Sequence, residues 1–164
     1  MELKDRVVVV TGSSSGVGAA TAVQCARLGA KVAVNYNGNA DGAEATAAAC
    51  RAAGGEAIVV RADVSRDEDC RRLVAETVDA FGAVDGLVNN AGTTRFCAHQ
   101  DLEGLDAADF QRIYAVNTVG PFQMTRACAP HMRARGAGAI VNVASVAGVM
   151  GVGSSVAYAA SKGA

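Results

Sequence analysis

Tryptophan is absent from these 164 residues, and aromatic residues reach only 4%. A platform of stacked rings for single-stranded nucleic acid is therefore not expected. Basic residues are not in excess either: 15 lysines and arginines face 16 acids, for a net charge of −1. That balance leaves no cationic footprint for a nucleic-acid partner. No apolar run approaches the roughly 20 residues of a membrane-spanning helix. The N-terminal residues, Met1 to Arg6, pass straight into an apolar strand with no leader pattern, so the cytoplasm is the expected location. The cysteines, Cys25, Cys50, Cys70, Cys97 and Cys128, are odd in number and none form a C-x-x-C pair. Free thiols in a reducing compartment are the simplest account. His99 and His131 stand apart from any metal-ligand spacing, and no metal is expected. Low-complexity linkers and internal repeats are also missing. What remains is a chain 51% apolar, too hydrophobic for disorder and long enough for one domain with a sizeable core.

The chain is organised around Thr11-Gly12-Ser13-Ser14-Ser15-Gly16-Val17-Gly18. Four valines, Val7 to Val10, precede it and read as a strand buried on both faces. An apolar helical pattern from Ala19 to Leu28 follows. Between them Gly12 supplies backbone angles closed to other residues. Gly16 and Gly18 let another backbone or a ligand come close. The first amides of the helix point outward, unpaired and partly positive, which suits a phosphate. The hydroxyls of Ser13, Ser14 and Ser15 add donors. A glycine turn alone is also compatible with a purely structural role. Its spacing, G-x-x-x-G-x-G, is neither the standard G-x-G-x-x-G nor a P-loop.

Taken in order, the pattern predicts strands at Arg6–Thr11, Lys31–Tyr36, Ala57–Ala62, Gly86–Asn89 and Ala139–Val143. Helices are predicted at Gly16–Leu28, Ala43–Ala53, Arg66–Phe81 with Ser65 as N-cap, and Ala107–Arg135 with Asp106 as cap. Pro121 should kink or split the last of these. Residues 37–42 read as a turn, and a glycine-rich loop from Ala144 to Ser154 precedes a helix starting near Ser155. Strands alternating with helices predict an α/β fold: a Rossmann-type, doubly wound parallel sheet of order 3-2-1-4-5 in one domain, residues 1–164. The fifth strand would be an apolar sheet edge, which natural proteins cover or pair. The expectation is therefore a domain whose C-terminal strands are missing from this stretch.

Ligands of open α/β sheets sit beyond the carboxyl ends of the strands. This sequence places there the glycine turn, Asn35-Tyr36-Asn37, Asp63-Val64, Asn90-Ala91-Gly92 and Ser145. Tyr158 and Lys162 follow one helical turn apart, on one face. An ammonium beside a phenol favours the phenolate, so the pair suits general acid/base work. Taken alone, a Y-x-x-x-K reads first as a surface tyrosine and lysine on an amphipathic helix.

Together these motifs resemble the classical short-chain dehydrogenase/reductase family. The matching residues are Thr11 to Gly18, Asp63-Val64, the N-N-A-G of Asn89 to Gly92, Asn117, Ser145, and Tyr158 to Lys162, in the family's order and along the whole chain. The resemblance implies a hydride exchanged between a nicotinamide cofactor and a carbonyl or secondary alcohol. It implies that Tyr158 is the acid/base, that Ser145 orients the substrate oxygen, and that Lys162 binds the nicotinamide ribose. Asn117 would support a water that joins Lys162 to solvent. Gly12, Ser14, Ser15, Gly16, Val17 and Gly18 would border the pyrophosphate and ribose. Asn35, Tyr36 and Asn37 would stand at the adenosine end, Asp63 and Val64 at the adenine, and Asn90, Ala91 and Gly92 along the middle. No acid stands at the end of the second strand to bind a ribose 2′-hydroxyl, so NADP is favoured over NAD. The Asn35-Tyr36 pair resembles the 3-oxoacyl-carrier-protein reductase and glucose-dehydrogenase-like branch. The family also implies a small-molecule substrate and a homo-oligomer, dimer or tetramer. A nucleotide-binding module without turnover is the alternative. A sugar-nucleotide epimerase is disfavoured by the loop spacing and by Asn89 to Gly92.

Overall fold

The structure, a computed structural model, describes residues 2–164. Five parallel strands form one sheet of order β3-β2-β1-β4-β5. They are β1 (Val7–Val10), β2 (Lys31–Tyr36), β3 (Glu56–Arg61), β4 (Gly86–Asn89) and β5 (Ala139–Asn142). The helices are α1 (Gly16–Arg27), α2 (Ala40–Ala52), α3 (Asp67–Phe81), α4 (Ala107–Tyr114), α5 (Gly120–Ala134), α6 (Ala147–Met150) and α7 (Val156–Gly163). The strand order expected from the alternation is the one observed.

Successive side chains of a strand point to opposite faces, so the valine run of β1 feeds two cores. Val8 and Val10, with Val32 and Val34 of β2, meet Ala22 and Ala26 of α1 and Ala43 and Ala47 of α2. Alanines on that side let two helices lie close to the sheet. Val9 packs the other way, with Ala33, Leu87, Leu73 of α3 and Met124 and Cys128 of α5. Each fully buried valine contributes about 1.5–3 kcal/mol of transfer free energy. The sheet is therefore covered on both faces around β1, and its carboxyl edge gathers the connecting loops. β5 is the outer strand, with Ile140 and Val141 exposed.

At the opposite edge, buried Asp85 ties three elements together. Its carboxylate accepts from the Val7 amide at 2.9 Å and pairs with Arg135 at 3.1 Å and Arg6 at 3.3 Å. Burial alone would raise its pKa, but the Val7 amide and the Arg135 guanidinium, with the charge of Arg6, hold it below the usual carboxylate range.

Three local expectations are corrected, and the expected break in the long helix is found. Ser65 is not the cap of α3; its hydroxyl donates to Asp63 at 2.7 Å, and Arg66 stands at the cap position. Residues 40–42 belong to α2, because Asn39 accepts from the Gly42 amide at 3.0 Å and starts the helix earlier. The loop from Ala144 to Ser154 contains the short helix α6. The long helix is not continuous α: a π-helical segment, Ala115–Val119, separates α4 from α5. Pro121 explains that break. It has no N–H to return to the Asn117 carbonyl, and a wider turn absorbs the missing bond.

Candidate active site

The glycine turn is built by a lock between the ends of β1, β2 and β4. Gly12 has φ +60, and a Cβ there would lie 2.7 Å from the Ala91 Cα. The Asn35 side chain accepts from the Gly12 amide at 3.0 Å and donates to the carbonyls of Ala62 and Val60 at 3.1 and 3.3 Å. Thr11 Oγ1 receives the amides of Asn90 and Ala91, both at 3.0 Å. The Asn90 side chain donates back to the carbonyls of Thr11 and Gly12 at 2.9 and 3.0 Å. Ser13 is turned inward, its hydroxyl donating to Val10 O at 2.7 Å, so only Ser14 and Ser15 present hydroxyls to the outside.

Over this lock lies a cleft of about 620 Å³. Of the residues expected at a cofactor, Gly12, Ser14, Ser15, Asn35, Asn37, Asp63, Val64, Asn90, Ala91 and Gly92 line it. Gly16, Val17, Gly18 and Tyr36 do not. Val17 is exposed at the start of α1, Gly18 is buried against Asn90 and the Gly12 carbonyl, and Tyr36 packs on the α1/α2 core. Asn35 reaches the wall, but its amide is committed to backbone, which makes it a holder of the turn. Residues 115 and 116 of the π segment, Thr93 and Arg112 also line the wall, with Gly38, Asn39, Ala62 and Ser65.

The remaining predicted residues gather beside the cleft. Asn117 lies in the π segment and is buried. Its carbonyl oxygen receives the Thr93 amide at 2.8 Å, and its amide donates to Thr93 O and to Ser161 Oγ, both at 2.9 Å. It therefore clamps the loop after β4 to α7. Ser155 caps α7, accepting from the Tyr158 amide at 3.3 Å. Lys162 Nζ donates to the Val143 carbonyl at 2.8 Å, and burial pulls its pKa below the usual lysine value. Lys162 and Asn117 line a second, smaller cavity of about 240 Å³ that shares Ala91 with the cleft. A Cβ on Gly92 would stand 3.5 Å from Asn117 Oδ1 and 3.8 Å from Lys162 Nζ, so these three residues converge. Ser145 accepts from the Ala147 amide at 3.2 Å, at the start of the loop that follows β5. Ser145 and Tyr158 line neither cavity, and no hydrogen bond joins the Tyr158 hydroxyl to Ser145 or Lys162 among the described residues. Both side chains are part-exposed, which leaves them accessible to a ligand. Thr11, Thr93 and Ser161 carry much of this geometry, yet a lone hydroxyl in sequence signals none of it.

The arrangement fits a dinucleotide. The first turn of α1 holds no acid and its N-cap, Ser15, makes no side-chain cap bond, while a Cβ placed on Gly16 would meet nothing within 4 Å. The long, polar-walled cleft runs from the Asn37–Asn39 rim toward Thr93. Among the described residues no group of three or more His, Cys, Asp or Glu could hold a metal.

An open parallel sheet of this order, with helices on both faces and a glycine turn at its first crossover, is a Rossmann-type α/β fold. The family model for short chain dehydrogenases matches residues 6–164, and the chain belongs to that family. It is 40% identical over 98% of its length to the 3-oxoacyl-(acyl-carrier-protein) reductase of Synechocystis sp., covering 64% of that protein. It is 38% identical over 96% of its length to the levodione reductase of Leifsonia aquatica, covering 59%. The structure of NAD+-bound xylitol dehydrogenase superposes with a TM-score of 0.90 at 35% identity, covering 99% of this chain and 62% of that one. The chain thus spans about three fifths of the length of the relatives it matches.

Proposed function

We propose that residues 1–164 form the dinucleotide-binding domain of an oxidoreductase that interconverts a carbonyl and a secondary alcohol, with NADP preferred over NAD. The substrate would be a small molecule, either a 3-oxoacyl thioester or a sugar or alcohol, and the working form a homo-oligomer. The nicotinamide, when bound, supplies or accepts the hydride. Gly12, Ser14 and Ser15 would hold the phosphates with the α1 amides, and Asp63 and Val64 would hold the adenine. Tyr158 gives or takes the proton at the substrate oxygen, and Ser145 orients that oxygen by a hydrogen bond. The Lys162 cation favours the phenolate form of Tyr158 and would hold the nicotinamide ribose when the cofactor is bound. Asn117 holds the Thr93 loop and α7 at a fixed separation.

The observation that carries this reading is the convergence of Gly92, Asn117 and Lys162 beside a cleft that begins at the glycine turn. The test is a titration with NADPH and NADH followed by nicotinamide fluorescence, for which the absence of tryptophan keeps background low. Tyr158→Phe should bind NADPH like the unsubstituted chain and lower carbonyl reduction by a factor of 10² to 10⁴. Saturable binding lost on Gly12→Val supports the reading, whereas a folded chain that binds neither nucleotide overturns it. A second reading, binding without turnover, rests on the Tyr158 hydroxyl, which no hydrogen bond joins to Ser145 or Lys162. It predicts saturable NADPH binding with no reduction in the unsubstituted chain.

A further inference from the structure

The rim of the cleft at the β2 end is formed by Asn37, Gly38 and Asn39 and carries no carboxylate. Arg61 is the last residue of β3 and pairs in register with Tyr36, the last residue of β2. It therefore stands at the carboxyl edge of the sheet, next to that rim. Side chains alternate along β3: Val60 faces the α3/α5 core, whereas Ala57 and Val59 face the α1/α2 core. Arg61 shares the face of Ala57 and Val59, on the side where α2 begins. Its Nε donates to the Asn37 carbonyl at 3.2 Å, so the guanidinium is docked on a cleft-lining residue. The two terminal nitrogens take no protein partner among the described residues.

Most arginines of the chain are paired otherwise. Arg6, Arg66, Arg71, Arg72, Arg95, Arg112, Arg126 and Arg135 each lie within 4 Å of a carboxylate. Arg61 does not, and Asp41, the acid of the α2 first turn, neither pairs with it nor lines the cleft. An unpaired, planar, permanently charged group with free donors matches a phosphate monoester.

Resting on the dinucleotide reading above, we infer that Arg61 is the residue that discriminates for a ribose 2′-phosphate, from β3 and across the Asn37 carbonyl. Asn37 and Ser15 supply neutral donors at the same rim, and Arg61 supplies the charge. The discrimination is electrostatic and solvent-facing, so it weakens as salt rises.

The test is calorimetric titration of the chain with 2′,5′-ADP and with 5′-AMP, two probes that differ only in the phosphate. The chain should prefer 2′,5′-ADP, and that preference should shrink with added salt. Arg61→Gln should cut the preference by roughly five- to tenfold, and Arg61→Lys by less, because a point charge survives without the fork. A preference unchanged in Arg61→Gln, or absent from the unsubstituted chain, overturns the inference while binding of 5′-AMP leaves the dinucleotide reading standing. A chain that melts cooperatively yet binds neither probe removes both. Should Arg61→Gln fail to fold, Arg61→Lys and the salt series decide: a salt-independent preference overturns the inference.

Discussion

Asn35→Ala should be among the most damaging single changes at the cleft, although it touches the ligand side least. The side chain is 1% exposed. It accepts one bond, from the Gly12 amide at 3.0 Å, and faces the carbonyls of Ala62, Val60 and Tyr36 at 3.1, 3.3 and 3.3 Å. A primary amide has two hydrogens, so at most two of those three carbonyls are well served at once. Three bonds are therefore at stake, each with a net contribution near 1 kcal/mol, and truncation should cost about 3 kcal/mol. For a chain of this size that is a fall in Tm of about 6–12 °C. Nucleotide affinity should fall as well, because Gly12 loses the group that fixes its φ of +60 against Ala91. Thermal and urea unfolding measure the first effect, and the fluorescence titration measures the second. Asn37→Ala is the control, two residues on but exposed at the rim, and should alter stability by less than about 0.5 kcal/mol. If Asn35→Ala and Asn37→Ala melt together, the buried amide is not what holds the turn and the argument is refuted.

Two pH experiments follow from the charged groups. Asp85→Asn should lose about 2 kcal/mol at neutral pH, since charge-assisted bonds to Val7, Arg135 and Arg6 weaken together. The Asp85 carboxyl is held below its ordinary value, so its contribution is full above the usual aspartate range and disappears as pH falls through the folded value. The gap between Asp85→Asn and the unsubstituted chain should therefore close in acid, and a gap constant with pH would contradict the assignment. Burial lowers the Lys162 pKa, so the unfolded chain binds more protons on the alkaline side and stability rises with pH toward the ordinary lysine value. Lys162→Met should abolish that rise in a series of urea midpoints from neutral to alkaline pH, and parallel curves would show that the ammonium is not desolvated.

The alternation of strand and helix made the sheet order legible, because parallel strands need long crossovers and the crossovers have one hand. The cleft was legible where a residue type is forced by backbone, as at Gly12, or by position after a strand, as at Asp63 and Asn90. Asn35 was not. Both faces of β2 are buried, so alternation gives no hint of which way its amide turns. Capping was misjudged at α3, where Ser65 bonds to Asp63, two residues back, rather than forward to the helix. The π segment was half legible: Pro121 announced a break, but nothing local says whether a helix kinks or widens. Residues such as Thr93 and Ser161 act through partners far along the chain, and pattern reading looks only at neighbours.

The widened turn at Ala115–Val119 amounts to a phase change between two stretches of helix. One residue of helix is about 100° of rotation. Upstream of the segment the angular setting points Ile113 into the core, and within it Asn117 meets Thr93 and Ser161. Downstream, Met124, Cys128 and Met132 lie along one stripe against the sheet. At constant pitch the stretch from Ile113 to Met124 would turn roughly 1,100°, and the wider turn takes about one residue's rotation, ~100°, out of that count. Deleting a single residue there should therefore restore regular hydrogen bonding with both halves still facing as they do, so an apparent irregularity is one extra residue stored in the helix, in the stretch that carries Asn117.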